Sequence, residues 1–288
     1  MPINLLALCG APGDSTVKRV RTSANVQVHL DGFFSTLEGV FRDGVETERR
    51  YESRWAPDAS ELATLPLTDE VSAILGRVGA GVLALDEISG SDFSSEQIRA
   101  LAVIRGAGAG QSLVLQAFTA TQNLSRRFAL ISSNNTFDRV EQEAFTLSNK
   151  VDVIVEGGSI KFKTFFNAKR VFDLSSYYKE ATDHDVRLFA SNPVLKVDAE
   201  SLLAVSSQPI RKLISSVQSS GVLERESAAS ISDKARGLVA ITVENDKIIV
   251  PLTRPELRDL MSFLDHKIYR SPVDEDSYET NSHRRRNA

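Results

Sequence analysis

Residues 151–165 read VDVIVEGGSIKFKTF, two runs of β-branched and aromatic residues separated by Gly157-Gly158. Paired glycines supply the positive φ of a tight turn, so the segment predicts a hairpin with strands over Val151–Val155 and Ser159–Phe165. Alternation along the second strand puts Lys161 and Lys163 on one face and Ile160, Phe162 and Thr164 on the other.

Upstream of the hairpin the pattern alternates between short strands and helices. Ile3–Cys9, Val26–Leu30 and Val82–Leu85 read as strands, and Phe33, Phe34, Leu37, Val40 and Phe41 as one helix face. Ser94-Ser95-Glu96-Gln97 has the pattern of a capping box ahead of Ile98, Leu101, Ala102 and Ile104, which predicts a helix start. Ser112–Phe118 then reads as a buried strand. Downstream, Asn167 can cap a helix running to about Leu188, with Val171, Phe172, Ser175 and Tyr178 on one face. Arg211, Leu213, Ile214 and Val217 suggest another helix. Leu238–Val243 pairs with Lys247–Val250 across Glu244-Asn245-Asp246. Thr253 and Glu256 form a capping box with Pro255 in the first turn, and Leu257, Leu260, Met261 and Leu264 follow at strict helical spacing. The expected fold is mixed α/β (α+β): an N-terminal α/β layer region over residues 1–130, a mixed hairpin-and-helix domain over 131–278, and a basic disordered tail over 279–288.

Composition narrows the function classes. The 288 residues carry 34 Lys+Arg against 38 Asp+Glu, a net charge of −4, with 42% hydrophobic residues, which is globular and argues against a wholesale polycation. Charge acts over about 8 Å at physiological salt, so near-neutrality of the whole says little about one patch. A lone Cys9 and four scattered histidines offer neither an intrachain disulfide nor a Cys/His zinc cluster, and a reducing cytoplasm is the expected home. INLLALC (3–9) has no preceding basic residue and is too short for a signal core, so it reads as a buried strand. No apolar run reaches the ~18 residues a membrane span needs.

Catalytic signatures are weak. Gly106-Ala-Gly-Ala-Gly110 would need a strand before it and a helix after it to cradle a pyrophosphate, and the expected order is the reverse, so it reads as a helix-to-strand connector. Asp183-His184-Asp185 spreads its side chains around a helix and reads as a solvated segment. No G-x-S-x-G elbow occurs. The hairpin invites comparison with nucleases that hold a divalent metal on paired strands through one Asp and an E-x-K unit. Asp152, Glu156 and Lys161 are the candidates. Ser159 stands two before Lys161, where the second carboxylate should be, which weakens that reading.

Residues 157–170 contain Lys161, Lys163, Lys169 and Arg170 and no acid, a local charge of +4 in an acidic chain. The expected helix start at Asn167 puts Lys169 and Arg170 in a first turn, where the macrodipole disfavours cations and a bound anion would relieve the cost. Phosphate is the natural anion; a solvated basic strand face fits the same spacing. Arg126-Arg127 and Arg211-Lys212, the latter inside the acid-free run Ser201–Leu223, are secondary candidates. Lys234, Arg236 and the tail, with its His283-Arg284-Arg285-Arg286, follow. Phe165, Phe166, Tyr177 and Tyr178 suit either base stacking or a core.

Several of these stretches carry a family resemblance. Phe137-Asp-Arg, Lys150-Val-Asp-Val-Ile-Val, Gly157-Gly-Ser-Ile-Lys-Phe-Lys, Phe165-Phe-Asn-Ala-Lys-Arg-Val-Phe-Asp-Leu and Tyr177-Tyr-Lys, then Leu257–Asp265 with Ser271 and Tyr278, resemble the KwaB family of Kiwa antiphage defence. The resemblance is best over about Phe118–Tyr278 and consists of hydrophobic patterns with a few fixed polar positions; none of it is a catalytic signature. It implies a cytoplasmic bacterial homodimer that binds DNA with little sequence preference. It also implies a membrane-embedded KwaA-like partner that senses phage at the envelope, which would bring the protein to the inner membrane. No cofactor is implied. The basic residues named above come from charge and spacing, not from the resemblance.

Three functions follow as expectations: a non-enzymatic DNA-binding effector that blocks phage replication or transcription, a divalent-metal nuclease on Asp152, Glu156 and Lys161, and a protein adaptor of a membrane-associated defence complex.

Overall fold

The structure is a computed structural model that describes residues 3–106, 110–124, 128–133, 136–140, 143–177 and 180–283. It divides into two compact units, Met1–Tyr51 with Pro57–Leu174, and Glu52–Ala56 with Ser175–Ala288. Both mix helices and strands, as the sequence pattern implies. The boundary expected near residue 130 falls inside the first unit.

The first unit contains β1 (Leu5–Cys9), β2 (Thr16–Val20), α1 (Ala24–Arg42), β3 (Thr47–Arg50), β4 (Glu61–Pro66), α2 (Asp69–Gly79), β5 (Glu87–Ile88), β6 (Ile98–Arg105) and β7 (Ser112–Ala117). β8 (Leu130–Ser133), β9 (Thr136–Arg139), β10 (Val153–Glu156), β11 (Ser159–Phe162) and α3 (Phe165–Val171) complete it. One nine-stranded sheet runs in the order β3-β4-β11-β10-β7-β6-β1-β2-β5, and β8–β9 form a separate hairpin. The predicted hairpin is present: Ile154 pairs with Lys161 and Val155 with Ile160, with Gly157 and Gly158 at φ 56° and 74° in the turn. It is a central piece of the sheet, with β10 against β7 and β11 against β4. This is why residues 131–162 cannot be separated from the N-terminal strands.

Three local expectations are corrected here. Val26–Leu30 is helical, the first turns of α1, whose buried stripe is Leu30, Phe34, Leu37 and Phe41. Val82–Ala84 is a single 3₁₀ turn. Ile98–Ile104 is strand β6, because Ala100, Leu101, Ala102 and Val103 are buried together between β1 and β7. A strand covered on both faces shows a continuous apolar run, from which helical spacing can be picked out by chance. Gly106 and Gly110 consequently flank a strand-to-strand connection, and residues 107–109 lie outside the described residues. The core packs α1 onto the sheet through Phe34, Phe41, Leu101, Val103, Val114 and Ile154. Each such side chain contributes about 1.5–3 kcal/mol by leaving water.

The second unit contains α4 (Asp183–Ala190), β12 (Leu195–Lys196), α5 (Ala199–Val205), α6 (Gln208–Ser220), α7 (Val222–Arg225), α8 (Ala228–Ala235), β13 (Val243–Glu244), β14 (Lys247–Ile249), α9 (Arg254–Leu264), β15 (Ile268–Arg270) and β16 (Ser277–Glu279). Its core joins Val186, Phe189, Ile214, Val217, Leu257 and Met261. The predicted turn at Asn245-Asp246 has both residues at positive φ, 50° and 59°, joining β13 to β14. α9 follows the predicted register, with Leu257, Leu260, Met261 and Leu264 buried. The expected tail begins inside β16, and Thr280 and His283 donate backbone hydrogen bonds to Lys267 and Arg54 carbonyls. Residues 284–288 lie outside the described residues.

Candidate nucleic-acid interface

The four cations of residues 157–170 separate into two environments. Lys161 projects from β11 on the same side as its neighbour Ile154, toward α1. There its ammonium lies 2.6 Å from Glu48 and 3.0 Å from Glu156. Glu156 in turn takes both ends of Arg42, at 2.9 and 2.6 Å, and Arg42 reaches Glu38 at 2.9 Å. Arg105 continues the chain to Glu38 at 3.2 Å and to Asp31 at 3.7 Å. Charges of alternating sign thus run Glu48, Lys161, Glu156, Arg42, Glu38, Arg105, Asp31. The Arg42 guanidinium, opposed by burial and joined by Lys161, holds the Glu156 carboxyl down at about 2. Burial works against the Lys161 ammonium, but hydrogen bonds to Glu48 and Glu156 outweigh it and its pKa is raised. A cation held between two carboxylates has no charge left for a phosphate.

Lys163, two residues on, projects to the same side and donates to the Asp43 carbonyl, at 3.5 Å, with its ammonium 5.9 Å from the Phe41 ring centre. It lines a cleft of about 260 Å³ with Lys150, Asp152, Thr164 and Asn167. At the base of this cleft the buried Asp152 accepts the Ala117 amide and the Asn167 side-chain amide, both at 2.8 Å. Lys150, 60% exposed, stands 3.4 Å from Asp152.

α3 is shorter than expected and starts earlier. Thr164 occupies the N-cap position and the helix ends at Val171, so Lys169 and Arg170 fall in its last turn. The macrodipole favours cations there, which reverses the sign of the argument for an anion at the helix start. The helix stops because Phe172 turns extended and is fully buried, while the Asp173 amide is captured by Glu70 at 2.7 Å. Glu70 also meets Arg99 at 2.6 Å, and Arg99 donates to the Val171 carbonyl at 2.7 Å. This buried pair pins the end of α3.

Phe165 is spent on the core, stacked on Tyr51 at 4.5 Å, whereas Phe166 is 58% exposed. Lys169 and Arg170 lie over the Phe166 ring at 5.4 and 5.9 Å. At about 100° per residue the solvent side of α3 runs Lys169, Phe166, Arg170, Asn167 in angular order. Asn167 is the residue that lines the cleft. Lys169, Phe166 and Arg170 therefore lead into the pocket edge that holds Lys163 and Lys150.

The remaining candidates belong elsewhere. Arg126 and Arg127 lie outside the described residues, as does Tyr178. In the second unit Arg211 donates to the Ser206 and Ala181 carbonyls at 3.2 and 3.1 Å and pairs with Asp183 at 2.7 Å, fastening the start of α4 to α6. Lys212 stands 3.7 Å from Glu180. Sequence reasoning missed Lys150 as a member of the cluster, and missed Glu48, Arg42 and Glu38 as the partners that occupy Lys161 and Glu156. No local signal announces partners more than 100 positions away, as Glu48 is from Lys161.

A family model described as Kiwa protein KwaB-like matches residues 114–274, more than half of the chain. The chain belongs to the KwaB-like family. The match begins inside β7 and contains the β10–β11 hairpin, α3 and α4 to α9, and membership associates the protein with Kiwa antiphage defence. No curated protein and no solved structure matches it. Among the described residues no helix is long and apolar enough to cross a membrane, and no three His, Cys, Asp or Glu side chains are grouped so as to hold a metal ion.

Proposed function

We propose that this KwaB-like protein is a cytoplasmic, DNA-binding effector of Kiwa defence that acts without catalysis. It takes DNA with little sequence preference and blocks phage replication or transcription. The observation that supports this reading is the grouping of Lys169 and Arg170 over the exposed Phe166 ring on α3, with Lys163 and Lys150 at the cleft that Asn167 of the same helix lines. Cations beside an exposed ring suit contact with a phosphate backbone and stacking rather than base-edge readout. A symmetric dimer would present the surface twice, and a KwaA-like membrane protein would bring it to the inner membrane. Affinity near 10⁻⁴ to 10⁻⁶ M at physiological salt, falling steeply as salt rises, is the expected signature. The carboxylates of the nuclease reading are engaged otherwise: Asp152 by the Ala117 amide and Asn167, Glu156 by Arg42 and Lys161.

The test is DNA retention by the full-length protein over a salt series, alone and with Mg²⁺ or Mn²⁺. Salt-sensitive retention of intact DNA supports the proposal. Salt-insensitive or absent retention overturns it, and cleavage replaces it with the nuclease.

A further inference from the structure

Residues 280–283 form a strap across the segment Glu52–Ala56, and both belong to the second unit. Two bonds tie them together: the His283 amide donates to the Arg54 carbonyl at 2.9 Å, and the Ala56 amide donates to the Ser282 hydroxyl at 2.8 Å. Thr280 braces the strap, its amide donating to the Lys267 carbonyl and its hydroxyl to the Ser282 carbonyl, both at 2.8 Å. Thr280, Ser282 and His283 are also part of the wall of a cavity of about 780 Å³. Nothing in the DNA-binding reading uses this arrangement.

The strap ends on a side chain that tolerates no charge where it lies. Both ring nitrogens of His283 are shut away from water with no hydrogen-bond partner. A neutral imidazole carries one N–H without an acceptor there, whereas an imidazolium would carry two and a buried charge. The surroundings add to the penalty. Arg54 and Lys267 bring positive charge toward the ring, and His266 meets it edge-on with centroids 6.4 Å apart. Asp265 opposes them, but its carboxylate is already engaged by the Ser216 hydroxyl at 2.6 Å, by Arg54 at 3.2 Å and by Lys267 at 3.4 Å. Glu52, Arg225 and Tyr269 complete the titratable groups of the cavity wall, the first two opposite in sign, and the exposed Glu279 precedes the strap. Burial, joined by Arg54, His266 and Lys267 against Asp265, holds the imidazole below its ordinary 6.5.

We propose that the strap of residues 280–283 is an acid-released latch, closed on Glu52–Ala56 while the His283 ring is neutral and let go when that ring takes a proton. Once released, the ring meets water and titrates at about 6.5. The open strap binds a proton that the closed strap refuses, so closure is at full strength above about pH 6.5 and weakens by as much as tenfold per pH unit below it. The Glu156 carboxyl, held at about 2, is silent in this window. Opening takes three residues out of the cavity wall and loosens the segment that carries Trp55, the sole tryptophan, which is 7% exposed with the strap closed. The latch is independent of the DNA surface, so each proposal can fail without the other.

The experiment is hydrogen exchange on the full-length protein between pH 7.5 and pH 5, with rates corrected for the intrinsic pH dependence of exchange. Protection of the His283 and Ala56 amides is expected to fall about tenfold or more across that range, while the amides of the buried strand β7 hold theirs. Trp55 emission should move to longer wavelength over the same interval. In His283→Phe, or in His283→Gln should the phenyl ring not seat, protection should be flat with pH. His266→Asn, which suits the left-handed backbone at φ 59°, should keep the wild-type response. Flat protection in the wild-type protein needs no variant to overturn the proposal. A parallel loss at β7, an undiminished response in both His283 variants, or its disappearance in His266→Asn would each overturn it as well.

Discussion

The α1 side of the β10–β11 hairpin and the outer side of α3 are neighbours in sequence, both rich in cations, and they have opposite fates. On the first, Lys161 is one link in a chain of alternating charge that runs through Glu156 and Arg42 to Glu38 and Arg105. On the second, Arg170 leans on an exposed ring, and Lys163 at the adjoining cleft meets the Asp43 carbonyl and the Phe41 ring. The run of residues 157–170 contains no acid, yet acids from α1, β3 and β10 decide which of its cations remain electrically visible. Local net charge identifies a basic segment; the fold chooses which of its charges face a ligand.

The contrast breaks most sharply on charge reversal. Lys163→Glu/Lys169→Glu/Arg170→Glu should make the log–log salt dependence of DNA binding shallower by about 2 to 3, losing roughly 10²-fold or more in affinity at low salt. Circular dichroism is expected to show the fold unchanged. Retention equal to wild type would remove α3 and the cleft from the interface.

A smaller effect probes the paired side by pH. The Glu156 carboxyl is held near 2, below its ordinary 4.5, so its contribution to stability is complete above about pH 4.5 and is lost as pH falls toward 2. Partial solvent screening leaves about 1–2 kcal/mol of this. Denaturant titrations at pH 7 and pH 3 should show that much less pH dependence in Glu156→Gln than in wild type. An identical pH dependence would dissolve the charge chain as a stabilising unit.

Phe166→Ala sharpens the other half. Stability should hold, because the ring is mostly exposed, while single-stranded DNA binding weakens by about 1 kcal/mol and duplex binding changes less. Equal loss on both forms would argue against stacking. The smallest expected change is that of Lys161→Gln on DNA: less than about twofold, beside a stability cost of about 1 kcal/mol. A loss rivalling that of the α3 variants would mean that Lys161 reaches DNA after all.

What was legible in the sequence was what depends on near neighbours. The Gly157-Gly158 hairpin, the Asn245-Asp246 turn and the register of α9 are each set within a few residues, and each is found where expected. β6 was misread because burial on both faces erases the alternation that marks a strand. The long helix from Asn167 was misread because its break depends on Glu70, about a hundred positions earlier, capturing the Asp173 amide. At the candidate interface, residue type and strand parity correctly put Lys161 and Lys163 on one side. The carboxylates that separate their roles come from α1, β3 and the partner strand, which no local pattern reports.

Strand β1, every residue of it shielded, carries the chain's single thiol. Burial is the main reason the Cys9 sulfur is pushed up to about 11, so the nucleophilic thiolate is scarce at neutral pH. The native protein is thus a blank background for maleimide chemistry. One engineered surface cysteine on α3 would take a fluorophore or spin label alone, so that the signal reports that face and nothing else.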